Sequence, residues 1–123
     1  MSHARLEHVN LSVTDPHRSA ALLQKLCGWV IRWEGPAMNA GYTVHVGHAG
    51  AYLALYSNAD VRAHYRVGMP LGHVGLEVDD LDAALTVVRE QGFEPYHLSD
   101  YEPGRRFYFL DEGGVEYELV QYD

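Results

Sequence analysis

Two histidines and one glutamate, His8, His73 and Glu118, are the residues whose types and spacing best support chemistry in this 123-residue chain. Each histidine is third in a near copy of the same ten residues. LEHVNLSVTD runs from Leu6 to Asp15 and LGHVGLEVDD from Leu71 to Asp80, identical at six of ten positions at an offset of 65. A repeat of this kind means two supersecondary units built alike, with equivalent side chains brought about one shared groove. Following the copies to their ends, Tyr52–Leu55 (YLAL) matches Glu116–Leu119 (EYEL), so Ala54 stands where the second copy has Glu118. Two neutral imidazoles and a carboxylate can hold a divalent ion and leave octahedral positions open to water, substrate or dioxygen. An alanine methyl in the fourth place cannot coordinate, so the set reads as catalytic rather than structural.

These residues need strands to present them. From Leu6 to Val13 the character alternates, with Val9, Leu11 and Val13 on one side and His8, Asn10 and Ser12 on the other, the pattern of a half-buried strand. Asp15 followed by Pro16 reads as N-cap and first helical position, Ser19, Leu22, Leu23 and Leu26 form an apolar stripe, and Gly28 ends the helix. The second copy repeats the order: a strand over Leu71–Val78, the cap Asp80, the stripe Leu81, Ala84, Leu85 and Val88, and a stop at Gly92. Three short strands follow each helix. They are expected near Trp29–Trp33, Tyr42–Gly47 and Ala51–Tyr56, then Glu94–Leu98, Arg106–Leu110 and Val115–Tyr122, with hairpin turns at Gly47–Gly50 and Asp111–Gly114. The fold class is therefore α+β, two tandem βαβββ modules over 1–57 and 71–123. Residues 58–70, with a helical-looking stretch at 59–66, form the linker. Its length leaves open whether the modules pair within one chain or exchange across a homodimer.

Composition narrows the partners. A formal charge of -8, from 9 Lys+Arg against 17 Asp+Glu, disfavours nucleic acid and anionic lipid, which need clustered positive charge. No apolar run approaches a membrane span and the N-terminus lacks a signal peptide's apolar stretch, so a cytoplasmic protein acting on a small molecule is expected. The single cysteine, Cys27, ends an amphipathic helical stretch and reads as packing.

The chain resembles the vicinal oxygen chelate superfamily of glyoxalases, extradiol dioxygenases, fosfomycin-resistance enzymes and metal-free bleomycin-resistance proteins. The resemblance rests on LEHVNL and LGHVGL, on the GlyTrp and GlyPhe steps at 28–29 and 92–93, and on the ending FYFLDEGGVEYEL from Phe107. It implies paired βαβββ modules forming a cup-shaped mixed β-sheet. Metal ligands from the first and last strands of each module become His8, His73 and Glu118, with Ala54 vacant. The metal could be Fe, Mn, Ni, Co or Zn. The vacancy speaks against a glyoxalase-type isomerase. Extradiol dioxygenases and fosfomycin-type thiol transferases use the His, His, Glu set and place a tyrosine ahead of the carboxylate. Tyr108 fits that catalytic place. Asn10 stands where the fosfomycin enzymes have threonine, and their cation-binding loop is not evident in Asp100–Arg106. An extradiol-type dioxygenase is the first expectation, and a metal-free binding or resistance protein the alternative.

Asn10, Tyr52, Tyr56 and Arg106 share faces with the ligands and are the candidate substrate contacts. Glu77 and Glu116 lie there too, as wall residues or as a base. His45 is ambiguous: alternation groups it with Thr43 toward the cup, whereas matching to the second half pairs it with Phe109 toward the helix. His3, His17, His48, His64 and His97 fall in termini, helix surface or loops and are expected to be solvated.

Overall fold

The chain was analysed as a computed structural model that describes residues 3–61, 65, 71–101 and 104–122. Most of the expected linker, including His64 and half of its helical-looking stretch, lies outside them. The chain divides into two compact units, Met1–Arg62 and Ala63–Asp123. Each is a βαβββ module.

In the first, β1 (His8–Ser12) leads into α1 (Pro16–Cys27), followed by β2 (Val30–Ala37), β3 (Gly41–Gly47) and β4 (Tyr52–Ser57). The strands form one mixed sheet in the order β1-β4-β3-β2, with β1 parallel to β4 and the other pairs antiparallel. The Asp15 carboxylate accepts from the Arg18 N–H at 3.0 Å. At the other end Gly28, left-handed at φ 67°, donates its N–H to the Gln24 carbonyl. The cap and the stop follow from residue type. Helix α1 packs on β3 and β4. Leu22, Leu23 and Leu26 thereby bury against Val44, Val46, Leu53 and Leu55.

The second module repeats this with β5 (Val74–Glu77), α2 (Leu81–Glu90), β6 (Tyr96–Tyr101), β7 (Gly104–Leu110) and β8 (Glu116–Tyr122), in sheet order β5-β8-β7-β6. Its core joins Leu81, Leu85 and Val88 to Phe107, Phe109, Tyr117 and Leu119. Each buried side chain of this size removes enough apolar surface from water to contribute about 1.5–3 kcal/mol. Between β7 and β8 the Asp111 carboxylate accepts from the Gly113 and Val115 N–H groups, both at 2.9 Å.

The expected α+β class and duplicated βαβββ order hold, with one four-stranded mixed sheet per module. Three strands depart most from the expected bounds. β2 continues through Gly35 and Pro36 to Ala37, because an edge strand pairs on one side only and tolerates a missing N–H there. β5 is shorter than expected and begins one residue after His73. β6 is displaced to Tyr96–Tyr101 by an irregularity between Tyr96 and Ser99, where His97 takes φ 51°. Among the described residues no helix is long and apolar enough to cross a membrane.

Candidate functional site

Alternation along the strands gives each sheet one face against its helix and one face of polar and aromatic side chains. In the second module Tyr117 and Leu119 point to α2, leaving Glu116 and Glu118 on the opposite face of β8. The register sets Tyr108 of β7 directly beside Glu118, and Tyr96 of β6 beside Tyr108. Three strands thus supply one row.

His73 stands between the two glutamates. Its Nε2 lies 3.2 Å from Glu118 Oε1 and its Nδ1 3.5 Å from Glu116 Oε1. The other Glu118 oxygen is occupied: Arg106 Nη1 donates to Oε2 at 3.0 Å and the Tyr108 hydroxyl at 3.1 Å. The Tyr96 hydroxyl donates to Glu116 Oε2 in a short bond. Burial first, and that bond second, push the Tyr96 hydroxyl well above the usual tyrosine range. It therefore stays protonated and remains a donor.

A divalent ion suits this pair. Donors at right angles around an ion with bonds of roughly 2.1 Å are about 3 Å apart, close to the observed 3.2 Å between His73 Nε2 and Glu118 Oε1. Glu118 keeps one oxygen toward His73 while Arg106 and Tyr108 fix the other, the kind of support that orients a ligating carboxylate. Among the described residues no three His, Cys, Asp or Glu side chains form a ready-made metal cage. His73 and Glu118 are the pair in the second module that could hold an ion.

The first module carries its own row. His8 stacks on Tyr52 at 5.0 Å, Tyr52 on His45 at 4.6 Å, and His45 meets Trp33 at 5.3 Å. Arg32 lies 4.6 Å from the Tyr52 ring centroid, and His8 Nδ1 meets Glu7 Oε1 at 2.8 Å. Next to this row is a concavity of about 610 Å³ lined by His8, Asn10, Thr43, His45, Ala54 and Tyr56, among others. Thr43 is 7% exposed and its hydroxyl has no hydrogen-bond partner among the described residues. The Tyr56 hydroxyl donates to the Met38 carbonyl and accepts from Asn58. Burial, reinforced by the nearby His8 and Arg32, lowers the His45 pKa.

The two rows are counterparts. His45 pairs with Ala54 as Tyr108 pairs with Glu118, and Trp33 pairs with His45 as Tyr96 pairs with Tyr108. His45 therefore faces the polar side with Thr43, and its true match is Tyr108 rather than Phe109. The offset shrinks from 65 at the histidines to 64 at Ala54 and Glu118 and to 63 here (108 minus 45), so carrying the 64 of the strand ends back to His45 misplaces it by one residue. Arg106 is tied to Glu118 with only 16% of its side chain exposed. His97, expected to be solvated, is exposed, and its ring also sits edge-on to Tyr96 at 5.1 Å and to Tyr108 at 6.1 Å. Only the β6 bulge turns it there, and no residue-level pattern announced that bulge.

The family model for the Glyoxalase/Bleomycin resistance protein/Dioxygenase superfamily matches residues 5–119. The chain belongs to that superfamily. Within it, a glyoxylase/bleomycin resistance protein/dioxygenase domain from Frankia sp. EAN1pec is 17% identical and has a TM-score of 0.83, with 99% of this chain and 100% of that one covered. The fosfomycin resistance protein FosX from Listeria monocytogenes, crystallised with Mn(II) and sulfate, is 17% identical at a TM-score of 0.75, covering 99% and 95%. TnmS3, an antibiotic-binding protein from Streptomyces sp. CB03234, is 19% identical at 0.72, covering 100% and 99%. No curated protein matches. At these identities the superfamily structures share the fold with this chain.

Proposed function

We propose that the protein is a divalent-metal-dependent enzyme acting on a small substrate chelated through two neighbouring oxygens, with His73, Glu118 and His8 as metal donors. The observation that carries this reading is the pairing of His73 Nε2 with one Glu118 oxygen while Arg106 and Tyr108 hold the other. A bound ion would act as a Lewis acid toward negative charge developing on the substrate oxygens. Tyr108 holds Glu118 through its hydroxyl and would be the group that passes a proton to a bound oxygen. Arg106 pairs with Glu118 and adds positive charge against an anionic substrate. Asn10, Tyr52 and Tyr56 furnish the wall contacts of the first module. The vacancy at Ala54 supports a three-donor set and runs against a glyoxalase-type isomerase.

Ring-opening oxygenation of a catechol is the first reaction to assay. Oxygen uptake by anaerobically Fe(II)-loaded protein over a panel of catechols is the expected result; no uptake with any of them removes the dioxygenase. The same loaded protein incubated with fosfomycin and glutathione tests thiol addition. Metal analysis tests the broader reading. Stoichiometric Mn(II) or Fe(II) binding that Glu118→Ala abolishes is expected, whereas equal affinity in wild type and Glu118→Ala overturns it.

A second reading, a metal-free small-molecule binding protein, has its own support in the concavity of about 610 Å³, whose lining includes Thr43 with its buried, unsatisfied hydroxyl. Ligand binding unaffected by a chelator would favour it.

A further inference from the structure

We propose that the concavity of the first module binds an organic cation, a protonated amine carried on a small apolar body, with Asp60 as its counter-ion. The proposal rests on the reading of that concavity as a ligand site and adds to it the charge of the ligand.

The lining sets the sign. Among the residues around the 610 Å³, Asp60 is the one acid, and there is no lysine or arginine. Arg32, which reaches the same face of the sheet, is engaged elsewhere: it lies over the Tyr52 ring at 4.6 Å and donates to the His48 carbonyl at 3.0 Å. A ligand anion would therefore meet a carboxylate and no fixed positive charge in the lining, whereas a cation would meet its opposite. The volume is that of an ordinary small-molecule site.

Asp60 is held in place from behind. Its N–H donates to Asn58 Oδ1 at 2.9 Å, and the Val61 N–H donates to the Asn58 carbonyl at 3.2 Å. The Asn58 amide donates in turn to the Tyr56 hydroxyl at 2.9 Å, which donates to the Met38 carbonyl at 2.7 Å. This chain ties the segment after β4 to the tip of the β2–β3 hairpin, and Met38, Tyr56, Asn58 and Asp60 all line the concavity. The Asp60 carboxylate takes no part in the chain and has no ion-pair partner among the described residues. A backbone fixed in advance with its charge uncommitted is the arrangement that binds a counter-ion at least ordering cost.

Thr43 supplies a second polar point. It shares its strand face with His45, is 7% exposed, and its hydroxyl has no partner among the described residues. A buried hydroxyl in that state is destabilising, and a polar group of a seated ligand relieves it. Ala37, Met38 and Ala54 complete the lining with apolar surface suited to a hydrocarbon body.

The test titrates three probes of nearly one shape, benzylamine, benzyl alcohol and benzoate, into the full chain near neutral pH and at low ionic strength, with amide 15N–1H spectra as the readout. Benzylamine is expected to bind most tightly and benzoate least, with shifts centred on Thr43, Ala54 and Asn58. Asp60→Asn should weaken benzylamine about fivefold, the upper end for a solvent-exposed ion pair, and leave benzyl alcohol nearly unchanged. Asp60→Lys should reverse the order of benzylamine and benzoate, which a merely structural Asp60 would not do. Benzoate binding as tightly as benzylamine, or an order that Asp60→Lys leaves in place, overturns the proposal and keeps the concavity as a ligand site. Failure of all three probes to shift any lining residue overturns the concavity as a ligand site, and the proposal with it.

Discussion

Thr43 and His45 are adjacent but one residue apart on β3, with different physical histories. The Thr43 hydroxyl is buried without a partner among the described residues, a state that costs about 1–3 kcal/mol relative to a satisfied group. Thr43→Val removes the hydroxyl at nearly constant shape, so it should stabilise the ligand-free protein by about 1 kcal/mol. Thermal unfolding checks this; a lowered Tm would mean the hydroxyl is satisfied. His45 gives a pH dependence. Its pKa is depressed by burial, then by His8 and Arg32, so the unfolded chain binds its proton more readily than the folded one. Its contribution to stability is full above the unfolded histidine value of about 6.5 and is lost as pH falls through the lower folded value. His45→Gln should flatten the loss of stability of metal-free protein over this acid range, as read by urea midpoints. A wild-type slope that persists in the variant would reject the assignment. Cys27 belongs to the same scale: burial raises its thiol to about 12, in keeping with a packing role.

The elements that carry these residues are held by turn chemistry. Asp111 is 8% exposed and satisfies the Gly113 and Val115 N–H groups, while Gly114 adopts φ 83° with the Tyr65 carbonyl close above the position a Cβ would take. This turn fixes the β7–β8 register and with it the pairing of Tyr108 with Glu118. Asp111→Ala should cost about 2–3 kcal/mol, because two buried N–H groups lose a charged acceptor. Gly114→Ala should also destabilise, by at least about 1 kcal/mol from backbone strain alone. Equilibrium urea unfolding measures both, and a midpoint unchanged in either would remove that residue from the account. Much of this level was legible in the sequence. The Asp-Pro cap, the leucine stripe and the Asp-Glu-Gly-Gly turn announce themselves locally, and the repeat aligned Ala54 with Glu118 correctly. What stayed hidden depends on pairing: the one-residue drift that matches His45 to Tyr108, the β6 bulge that turns His97 toward Tyr108, and the closeness of Glu116 to His73. Those features are set by register across strands, which no single run of residues encodes.

At the scale of the whole molecule, the two modules differ in what they offer a ligand. The second concentrates carboxylates and Arg106 around His73, and the first lines its concavity mainly with histidine, hydroxyl, amide and small apolar side chains, Ala54 among them. A divalent ion bound only by the folded protein would stabilise it by about 2.7 kcal/mol at a concentration 100-fold above Kd. Mn(II) should therefore raise the unfolding midpoint of wild type, and Glu118→Ala and His73→Ala should abolish the rise. His8→Ala is the decisive variant. If His8 is the third donor, its loss removes most of the Mn(II) effect even though His73 and Glu118 are untouched in the other module. A full Mn(II)-induced shift in His8→Ala would confine the donors to the second module. In that case the matching histidines would mark a shared origin with separate uses.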